Sequence, residues 1–406
     1  MNETIISFPA ILLFCFTAVY VLAIILFTLG LFFPKKGVNK RTYSVSVVIA
    51  ARNEEKNIER ILRDLIHQTY PKDKYEVIVV DDCSTDNTCD VVQKMSRDFH
   101  QIKLLQVRAT AAKISPKKYA LSLGIKKSAG EIILTTDADC RVRSTWIETM
   151  TSYFSPRVGM VVGFSQLGRQ YEEHSPFEQL QALDFLALMA CAAGSSNLGH
   201  ALAASGQNIA YRRCVFEQVG GFSKIGHRIS GDDVLLLQLV RRHTRWCIRF
   251  AQSHRAFNAS QPEKTLKNFI HQRTRWASNG AYQLEQNILF FTYVLSVFLF
   301  NGSLLLSALL SIFIPSALIP MLICFGTKTI FELLLLLRGA KIFGRFDLLR
   351  YFPFWTILEI PYVIVVGFIG TFGNFAWKGR TNSSKLQNSN TRKNNNQNTN
   401  QKTQKK

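Results

Sequence analysis

The chain has 406 residues, of which 47% are hydrophobic, and its formal net charge is +21 at pH 7. This length allows more than one folded unit. A charge of this size often indicates a nucleic-acid or anionic-lipid partner, but eight of the cations lie in the Asn- and Gln-rich segment 378–406, which has no acid. That segment cannot bury a core and is predicted to be disordered. Because it follows apolar segments, we expect it to be solvated or to touch anionic headgroups, and we expect no nucleic-acid partner.

The first element is an apolar stretch, residues 5–33, without a charged side chain. It exceeds the roughly 20 residues that a helix needs to cross a bilayer, and no small-residue cleavage pattern follows it. Residues 1–34 are therefore predicted to be a retained transmembrane anchor. Four cations follow between residues 35 and 41, whereas Glu3 is the only charged residue on the other flank. This bias predicts that the next domain is cytoplasmic.

Residues 44–284 have an ordinary globular composition and alternate between strand and helix patterns. Runs rich in β-branched residues predict four strands, at 44–50, 75–80, 102–107 and 131–136. Apolar residues at helical spacing between them predict helices. Since these strands are apolar on both faces, we predict an α/β fold with a mostly parallel sheet flanked by helices. Ligands of such sheets bind at the carboxyl ends of the strands.

Charged residues follow three of these strands. They are Arg52 and Glu54 after the first strand, Asp81 and Asp82 after the second, and Asp137 and Asp139 after the fourth. The last two are carboxylates one residue apart, which suits a divalent cation, Mg²⁺ or Mn²⁺, that bridges a diphosphate. The alternative is a pair of surface acids in a turn. No GxGxxG follows the first strand and no GxxxxGK[ST] occurs, which argues against a dehydrogenase or an ATPase.

The roles of four residues near these strand ends stay open. Asp81 and Asp82 could accept hydrogen bonds from a nucleotide base or ribose, or they could cap the following helix. Lys117 and Lys118 could each reach a phosphate. Alternatively, both could lie in a solvated basic turn. The eight cysteines show no CxxC and no Cys/His metal spacing, which fits free thiols in a reducing compartment.

Two acids precede an apolar helical run that begins at Val234. Asp232 and Asp233 supply two carboxylates, which is more than capping of this helix requires, and a helix N-terminus favours an ionised carboxylate. We therefore predict a general base that takes the proton of an attacking hydroxyl, with Asp233 as the first choice and Asp232 as the alternative.

A second helical motif lies at residues 271–276. Gln272, Arg275 and Trp276 are three and four residues apart and share a helix face. Arginine can bind diphosphate oxygens, and tryptophan offers an apolar plate for a sugar ring. The alternative is a basic amphipathic helix at the membrane surface, because the next apolar block begins about ten residues later.

The apolar blocks at 287–337 and 351–372 predict transmembrane or interfacial helices over 287–373. A full third crossing by 351–372 would put the basic segment outside, against the charge bias. Pro353 and Pro361 favour a re-entrant or interfacial helix there.

In this order the motifs resemble the family 2 glycosyltransferases of the GT-A fold, in the membrane-bound branch that includes polysaccharide synthases and carotenoid or lipid glycosyltransferases. The resemblance covers about residues 45–276. It rests on the segments 48–55, 79–88, 117–121, 137–139, 206–212, 231–233 and 272–276. Cys83 stands where glycine is usual in this family.

The resemblance implies an inverting transfer in which Asp233 deprotonates the acceptor hydroxyl, while Arg275 and the cation stabilise the departing diphosphate. It implies three further groups of residues: nucleotide binding by Ala50, Arg52, Glu54, Asp81, Asp82, Lys117 and Asp137, metal binding by Asp139 with Asp137, and diphosphate or acceptor contacts by Gln272, Arg275 and Trp276.

The chain is therefore expected to be a hexosyltransferase-type glycosyltransferase of the inner cell membrane, with the catalytic domain in the cytoplasm. It would move a sugar from a nucleoside diphosphate sugar, a UDP-sugar in the first instance, to a lipid or membrane-associated glycan. A processive polysaccharide synthase is the first alternative, favoured by the 272–276 motif but disfavoured by the few predicted spans. A catalytically inactive membrane scaffold is the second, and the intact acids argue against it.

Overall fold

The computed structural model describes residues 2–107, 114–168, 172, 174–280, 282–373, 375–377 and 380–382. The segment predicted to be disordered, 378–406, lies outside these residues except for Arg380–Asn382, which form a strand paired with Phe375–Trp377 and so differ from the prediction. All eight cysteines of the chain are free thiols.

The helices and strands of the described residues follow in chain order. The helices are α1 (Asn2–Gly30), α2 (Ile58–Ile66), α3 (Thr88–Asp98), α4 (Pro116–Lys127), α5 (Trp146–Thr151), α6 (Pro176–Asn197), α7 (Arg213–Gln218), α8 (Val234–His243), α9 (Leu266–Ala277), α10 (Gln283–Gln286), α11 (Ile288–Leu310), α12 (Leu318–Phe343) and α13 (Phe352–Phe372). The strands are β1 (Val45–Ala51), β2 (Tyr75–Asp81), β3 (Ile102–Gln106), β4 (Ile132–Thr135), β5 (Arg141–Val142), β6 (Val158–Gly163), β7 (Ser165–Leu167), β8 (Ile209–Arg212), β9 (Cys247–Ala251), β10 (Asn258–Ser260), β11 (Phe375–Trp377) and β12 (Arg380–Asn382).

Seven strands form the central sheet, in the order β3-β2-β1-β4-β8-β6-β9. The first four pair in parallel, β8 runs antiparallel to both of its neighbours, and β6 is parallel to β9. The predicted mostly parallel α/β fold is therefore confirmed. Helices cover both faces, which is why the β-branched residues of β1 are fully buried on either side. A smaller sheet has the order β5-β10-β7.

The register of the central sheet brings the predicted site residues to one edge. Ala51 of β1 pairs with Asp81 of β2, and Val48 pairs with Thr135 of β4. Since these strands run in the same direction, their carboxyl ends open together. The acids that follow β2 and β4 consequently share one side of the sheet.

Four helical segments are long and apolar enough to cross a membrane: Pro9–Gly30, Ile288–Leu310, Pro315–Phe343 and Phe346–Phe372. Helix α6 joins them to the sheet, because its buried face belongs to the same apolar core as α1, α12 and β6. The backbones of α1 and α6 touch at Gly30 and Gly194, where a Cβ on Gly30 would lie 2.1 Å from the Gly194 carbonyl oxygen. Any larger residue would separate these helices.

A buried ionic cluster links three of the apolar helices. The ammonium of Lys328 lies 2.6 Å from Glu332 of the same helix and 2.7 Å from Glu359 of α13. The hydroxyl of Tyr20 in α1 donates a hydrogen bond to Glu332. Charges inside a bilayer are stable only when they are paired in this way. The cluster therefore fixes α13 against α12 and α1.

The second half of helix α13 runs beside α9. The rings of Phe269 and Tyr362 stack with centroids 5.5 Å apart. Eight residues further along both helices, a Cβ on Gly370 would lie 2.7 Å from the Cβ of Ala277. The turn that precedes α13 also touches the domain of the central sheet, since Arg345 donates a hydrogen bond to the carbonyl of Leu167. The second half of α13 and the segment that precedes the helix thus both contact that domain.

Candidate active site

A group of possible metal ligands follows β4. Oxygen or sulfur atoms of Asp137, Asp139 and Cys140 lie within 4.8 Å of one another. The Asp139 carboxylate is exposed at the carboxyl edge of the sheet, and Asp137 is half-buried. This geometry leaves room on the open side for further oxygen ligands, as a cation that carries phosphate requires.

The chemistry of these ligands suits a hard cation held by the two carboxylates. Cys140 is buried, and this burial, together with the charge of Asp139, raises the pKa of its thiol well above the ordinary value. A protonated thiol is a poor ligand for Mg²⁺ or Mn²⁺, which prefer oxygen. Asp137 and Asp139 would therefore hold the ion.

Lys117 joins the metal-ligand group to the acids that open α8. Its ammonium lies 2.8 Å from Asp137 and 2.9 Å from Asp232. Burial alone would lower the pKa of Lys117, but these two carboxylates raise it above the ordinary value. Residues that are 95 positions apart along the chain are thereby brought together by one cation.

The neighbouring acids Asp232 and Asp233 differ in their surroundings. Burial opposes ionisation of both, but Lys117 and Lys118 hold the pKa of Asp232 below its ordinary value. Burial and the charge of Asp232 raise the pKa of Asp233. The helix N-terminus was predicted to favour the ionised carboxylate, but at Asp233 burial and the charge of Asp232 outweigh this effect. A raised pKa makes a carboxylate a stronger base, as deprotonation of a hydroxyl requires.

Backbone amides orient the Asp233 side chain. Its two carboxylate oxygens accept hydrogen bonds from the N–H of Gly206, at 2.7 Å, and of Val234, at 2.6 Å. Gly206 lies just before β8, in the segment 206–212 that carried part of the family resemblance. It approaches both acids closely, because a Cβ there would lie 3.3 Å from Asp232 and 3.4 Å from Asp233.

Lys118 does not make the phosphate contact that its sequence position suggested. It is fully buried and donates hydrogen bonds to the carbonyls of Arg228, at 2.6 Å, and Ser230, at 2.8 Å. Burial lowers its pKa to about 8. The side chain therefore cannot reach a phosphate. It supports the loop that leads into Asp232 and Asp233.

The substitution Lys118→Met is expected to lower the free energy of unfolding by about 2 kcal/mol, because two buried carbonyls would lose their donor. Transfer activity should fall with it as the loop before Asp232 loosens. Thermal unfolding in detergent measures the effect, with the exposed Lys126→Met on the same helix as the matched control. Equal unfolding temperatures for the two variants would contradict this role.

The turns after β1 and β2 interlock at the predicted nucleotide site. The guanidinium of Arg52 donates a hydrogen bond to the carbonyl of Asp82 at 2.8 Å. The N–H of Asn53 donates to the hydroxyl of Ser84, and the side-chain oxygen of Asn53 accepts from the N–H of Thr85. Cys83 has a φ of 55°, in the left-handed region that favours glycine. This conformation explains why glycine is usual at that place in the resembling family.

Four of the predicted nucleotide-site residues lie in or beside these turns, in different surroundings. Asp81 and Asp82 are buried, and the N–H of Ser84 donates to one oxygen of Asp81 at 3.2 Å. The other oxygen, Oδ1, has no hydrogen-bond partner among the described residues. Buried acceptors are normally satisfied, so this oxygen is suited to an N–H or O–H donor from a ligand. Glu54 instead accepts a hydrogen bond from Asn57 at 2.9 Å, and Ala50 is half-buried at the end of β1.

The three predicted residues of the α9 motif have different surroundings. Burial lowers the pKa of Arg275, whereas the nearby charges of Asp232 and Asp137 raise it. The charge of Arg275 therefore lies near the acids of the site. Gln272 donates a hydrogen bond to Glu263 at 3.1 Å. Trp276 is half-buried and packs beside Phe185, with ring centroids 5.9 Å apart. Its contact with a sugar ring stays a prediction.

Several residues around the site escaped the sequence analysis. Cys140 and Glu263 carry no signal of a role in their local sequence. The same holds for Asp184 and Arg273, which lie 2.8 Å apart behind Trp276. The one available signal was charge, since Asp184 interrupts an apolar helical run at residues 182–193.

Taken with the sheet order, this group of acids, lysine and arginine at the strand ends defines a glycosyltransferase of the GT-A class. The sequence pattern of glycosyl transferase family 21 matches residues 11–389, and the chain belongs to that family. The expected resemblance to GT-A glycosyltransferases is confirmed.

The chain is also similar to curated relatives and to a solved structure. It is 30% identical over 251 residues, 60% of this chain and 56% of the relative, to the probable glycosyltransferase YdaM of Bacillus subtilis. It is 27% identical over 241 residues, 58% of this chain and 48% of the relative, to the beta-monoglucosyldiacylglycerol synthase of Nostoc sp.. The chain spans about half the length of these curated relatives.

The solved structure is a mannosyltransferase from Pyrobaculum calidifontis in complex with GDP-Man and Mn²⁺. Its TM-score is 0.59, and the match covers 89% of this chain and 98% of that chain at 20% identity. At this identity the likeness concerns the fold alone.

Proposed function

We propose that the protein transfers a sugar, with inversion, from a nucleoside diphosphate sugar to the hydroxyl group of a lipid at the membrane surface. One observation carries the proposal: Lys117 contacts both Asp137 of the metal-ligand group and Asp232 beside the proposed base. A donor diphosphate and an acceptor hydroxyl bound at these two points would be neighbours. A UDP-sugar is the first candidate donor.

In the proposed reaction Asp233 takes the proton of the acceptor hydroxyl. The acceptor oxygen forms a bond to the anomeric carbon as the bond from that carbon to the diphosphate oxygen breaks. The nucleoside diphosphate leaves with the electron pair on the opposite face, which inverts the configuration. One base is sufficient, so a second carboxylate at glycosidase spacing is not needed.

The leaving diphosphate needs positive charge around it. Asp137 and Asp139 would hold a divalent cation, which supplies Lewis-acid stabilisation of the phosphate oxygens when bound. Arg275 faces the same acids from α9 and offers a planar fork of donors. Lys117 would be able to exchange its carboxylate partners for a phosphate oxygen. Asp81 and its turn would hold the nucleoside.

A lipid acceptor is supported by the position of α9 in the fold. This helix lies against α13, and the exposed large side chains of α13 are apolar: Phe354, Ile357, Leu358, Val365, Phe368 and Phe372. An acceptor anchored in the bilayer would approach Arg275 along this surface, with its hydroxyl group at the membrane interface. The relative named as a glucosyldiacylglycerol synthase supports the same acceptor class.

The test is a donor screen with the purified full-length chain in detergent. Labelled UDP- and GDP-sugars are supplied with diacylglycerol and either Mg²⁺ or Mn²⁺, and release of the nucleoside diphosphate is measured. We expect release that depends on both the lipid and the cation with at least one donor. Folded protein that releases no diphosphate from any donor of the panel would refute the proposal.

The arrangement of α13 also supports a topology with three crossings. Tyr362 to Gly370 lie at the level of α9, whose exposed Lys267 and His271 exclude it from the hydrocarbon core. The ten residues from Phe352 to Pro361 extend only about 15 Å, half of the roughly 30 Å core. We infer that α13 lies in the membrane interface and that the basic segment 378–406 emerges on the side of the catalytic domain.

Cysteine labelling checks this topology. In a variant without native cysteines, we expect Ser384→Cys to react with a membrane-impermeant maleimide from the same side as Asp73→Cys of the catalytic domain. Ser311→Cys, between α11 and α12, should react from the opposite side. Reaction of residue 384 together with residue 311 would show instead that α13 crosses the membrane.

A further inference from the structure

The helix that carries Arg275 contains a second arginine with unusual surroundings. Arg273 lies on the other side of α9 and is only 2% exposed. Its Nη2 atom is 2.8 Å from Asp184 Oδ2 on α6, an interaction between positions 89 residues apart in the chain. Charged side chains are rarely buried unless they are paired. The pair thus joins α6 to α9 through two buried side chains of opposite charge.

The geometry of the pair is poor for stability. No guanidinium nitrogen of Arg273 makes a well-directed hydrogen bond with a described residue, and neither does Asp184 Oδ2. Burial raises the pKa of Asp184 to about 6 despite the arginine beside it. Apolar side chains of similar volume stabilise such sites at least as well as buried ion pairs. Stability therefore does not account for the presence of this pair.

The pair does account for the orientation of α9. The Arg273 guanidinium lies over the ring of Trp276, 4.3 Å from its centroid, and Trp276 packs against Phe185, the residue after Asp184. Two neighbours on α6 thus meet two residues on α9 that are three positions apart. An ionic contact and an aromatic contact together allow only one rotation of α9 about its axis.

The orientation of α9 also bears on the loop that holds the proposed base. Ser230 donates a hydrogen bond to the carbonyl of Arg275 at 3.1 Å and accepts one from Asn279 at 2.7 Å. Ser230 directly precedes Gly231 and Asp232. A rotation of α9 would therefore displace the Arg275 side chain and pull on this loop at the same time.

We propose that Asp184 is a positioning residue for sugar transfer, which acts through Arg273 to fix the rotation of α9 and the placement of Arg275. This role rests on the proposed function. It predicts that turnover requires the two charges, whereas folding requires only side chains of similar volume at the two positions. A merely structural pair would show the opposite behaviour.

The test uses the double variant D184L/R273M of the full-length protein in detergent, in which apolar side chains fill the same space. We expect an unfolding temperature equal to or above that of the wild type. We expect kcat to fall by about tenfold to a hundredfold, since small displacements at a reacting centre have effects of this size. The donor KM should change by less than about threefold, because the proposed donor-binding residues Asp81, Asp137 and Asp139 lie at the ends of β2 and β4 and not on α6 or α9.

Conservative and exposed variants complete the comparison. R273K keeps the charge and the single contact to Asp184, and it should be more active than R273M. E59L/R63M removes an exposed pair on α2, whose side chains are 50% and 62% accessible, and should leave kcat unchanged. Wild-type kcat in D184L/R273M, failure of that variant to fold, or equal activities of R273K and R273M would each overturn the positioning role. Transfer by the wild type is measured in the same assay, so failure of the proposed function itself is seen separately.

Discussion

The substitution Asp233→Asn is expected to lower kcat by about 10²–10⁴-fold, the usual contribution of a general base. Asparagine keeps the size of the side chain and one acceptor for the N–H of Gly206 or Val234. It cannot take a proton. Nucleotide binding should persist, because the turns after β1 and β2 do not depend on Asp233. Initial transfer rates and UDP binding by calorimetry measure the two effects separately.

The matched control is Asp73→Asn, an exposed aspartate that precedes β2 and lies outside the site. It should retain the wild-type rate. Because Asp232 is held ionised by Lys117, Asp232→Asn should weaken the site through its contacts rather than through proton transfer. Undiminished transfer by Asp233→Asn together with loss in Asp232→Asn would assign the base to Asp232, the alternative that the sequence left open.

Removal of the divalent cation is expected to have an effect of similar size. A cation at a departing diphosphate contributes several kcal/mol to the transition state, which corresponds to a loss of at least about 10²-fold in rate. Chelation with EDTA should therefore stop transfer, and Mn²⁺ or Mg²⁺ should restore it. Asp139→Ala should raise the cation concentration needed for half-maximal rate, since its exposed carboxylate is the more accessible of the two ligands.

The control for this experiment is Asp98→Asn, an exposed acid at the end of α3. Its cation dependence should equal that of the wild type. Titration of both variants with Mn²⁺ at saturating donor separates metal affinity from turnover. Full activity of the wild type after exhaustive chelation would contradict a metal at Asp137 and Asp139.

The parts of the fold that follow local patterns could be predicted from the sequence. The strands β1 to β4 are short runs of β-branched residues, and their bounds differ from the predicted ones by no more than about two residues. The acids after β2 and β4 converge because parallel strands end at the same edge. Order along the chain therefore contained enough information to place Asp81, Asp137 and Asp139 near one another.

The contacts that could not be predicted are non-local or involve the backbone. The Asp184–Arg273 pair joins two helices that no local pattern relates. The N–H of Gly206 holds Asp233, and a backbone donor leaves no trace in the identity of its residue. Lys117 and Lys118 are adjacent and of one type, yet one faces the acids and the other supports a loop.

Hydropathy alone also could not distinguish the arrangement of α13 from that of a membrane span. Its composition suits a crossing, as does that of α1, α11 and α12. Only the contacts of Tyr362 and Gly370 with α9 indicate that its second half lies beside the catalytic domain. This arrangement agrees with the charge bias of the segment that follows it.

The most direct test of sugar transfer to a lipid is the amount of labelled sugar that enters the organic phase. Wild-type protein, UDP-sugar labelled in the sugar, diacylglycerol and Mn²⁺ are incubated in mixed micelles, and the lipids are extracted and counted. We predict label in the lipid fraction with the wild type and little above background with Asp233→Asn. Label that stays entirely in the aqueous phase with folded wild-type protein, for every donor and lipid acceptor supplied, would contradict the account.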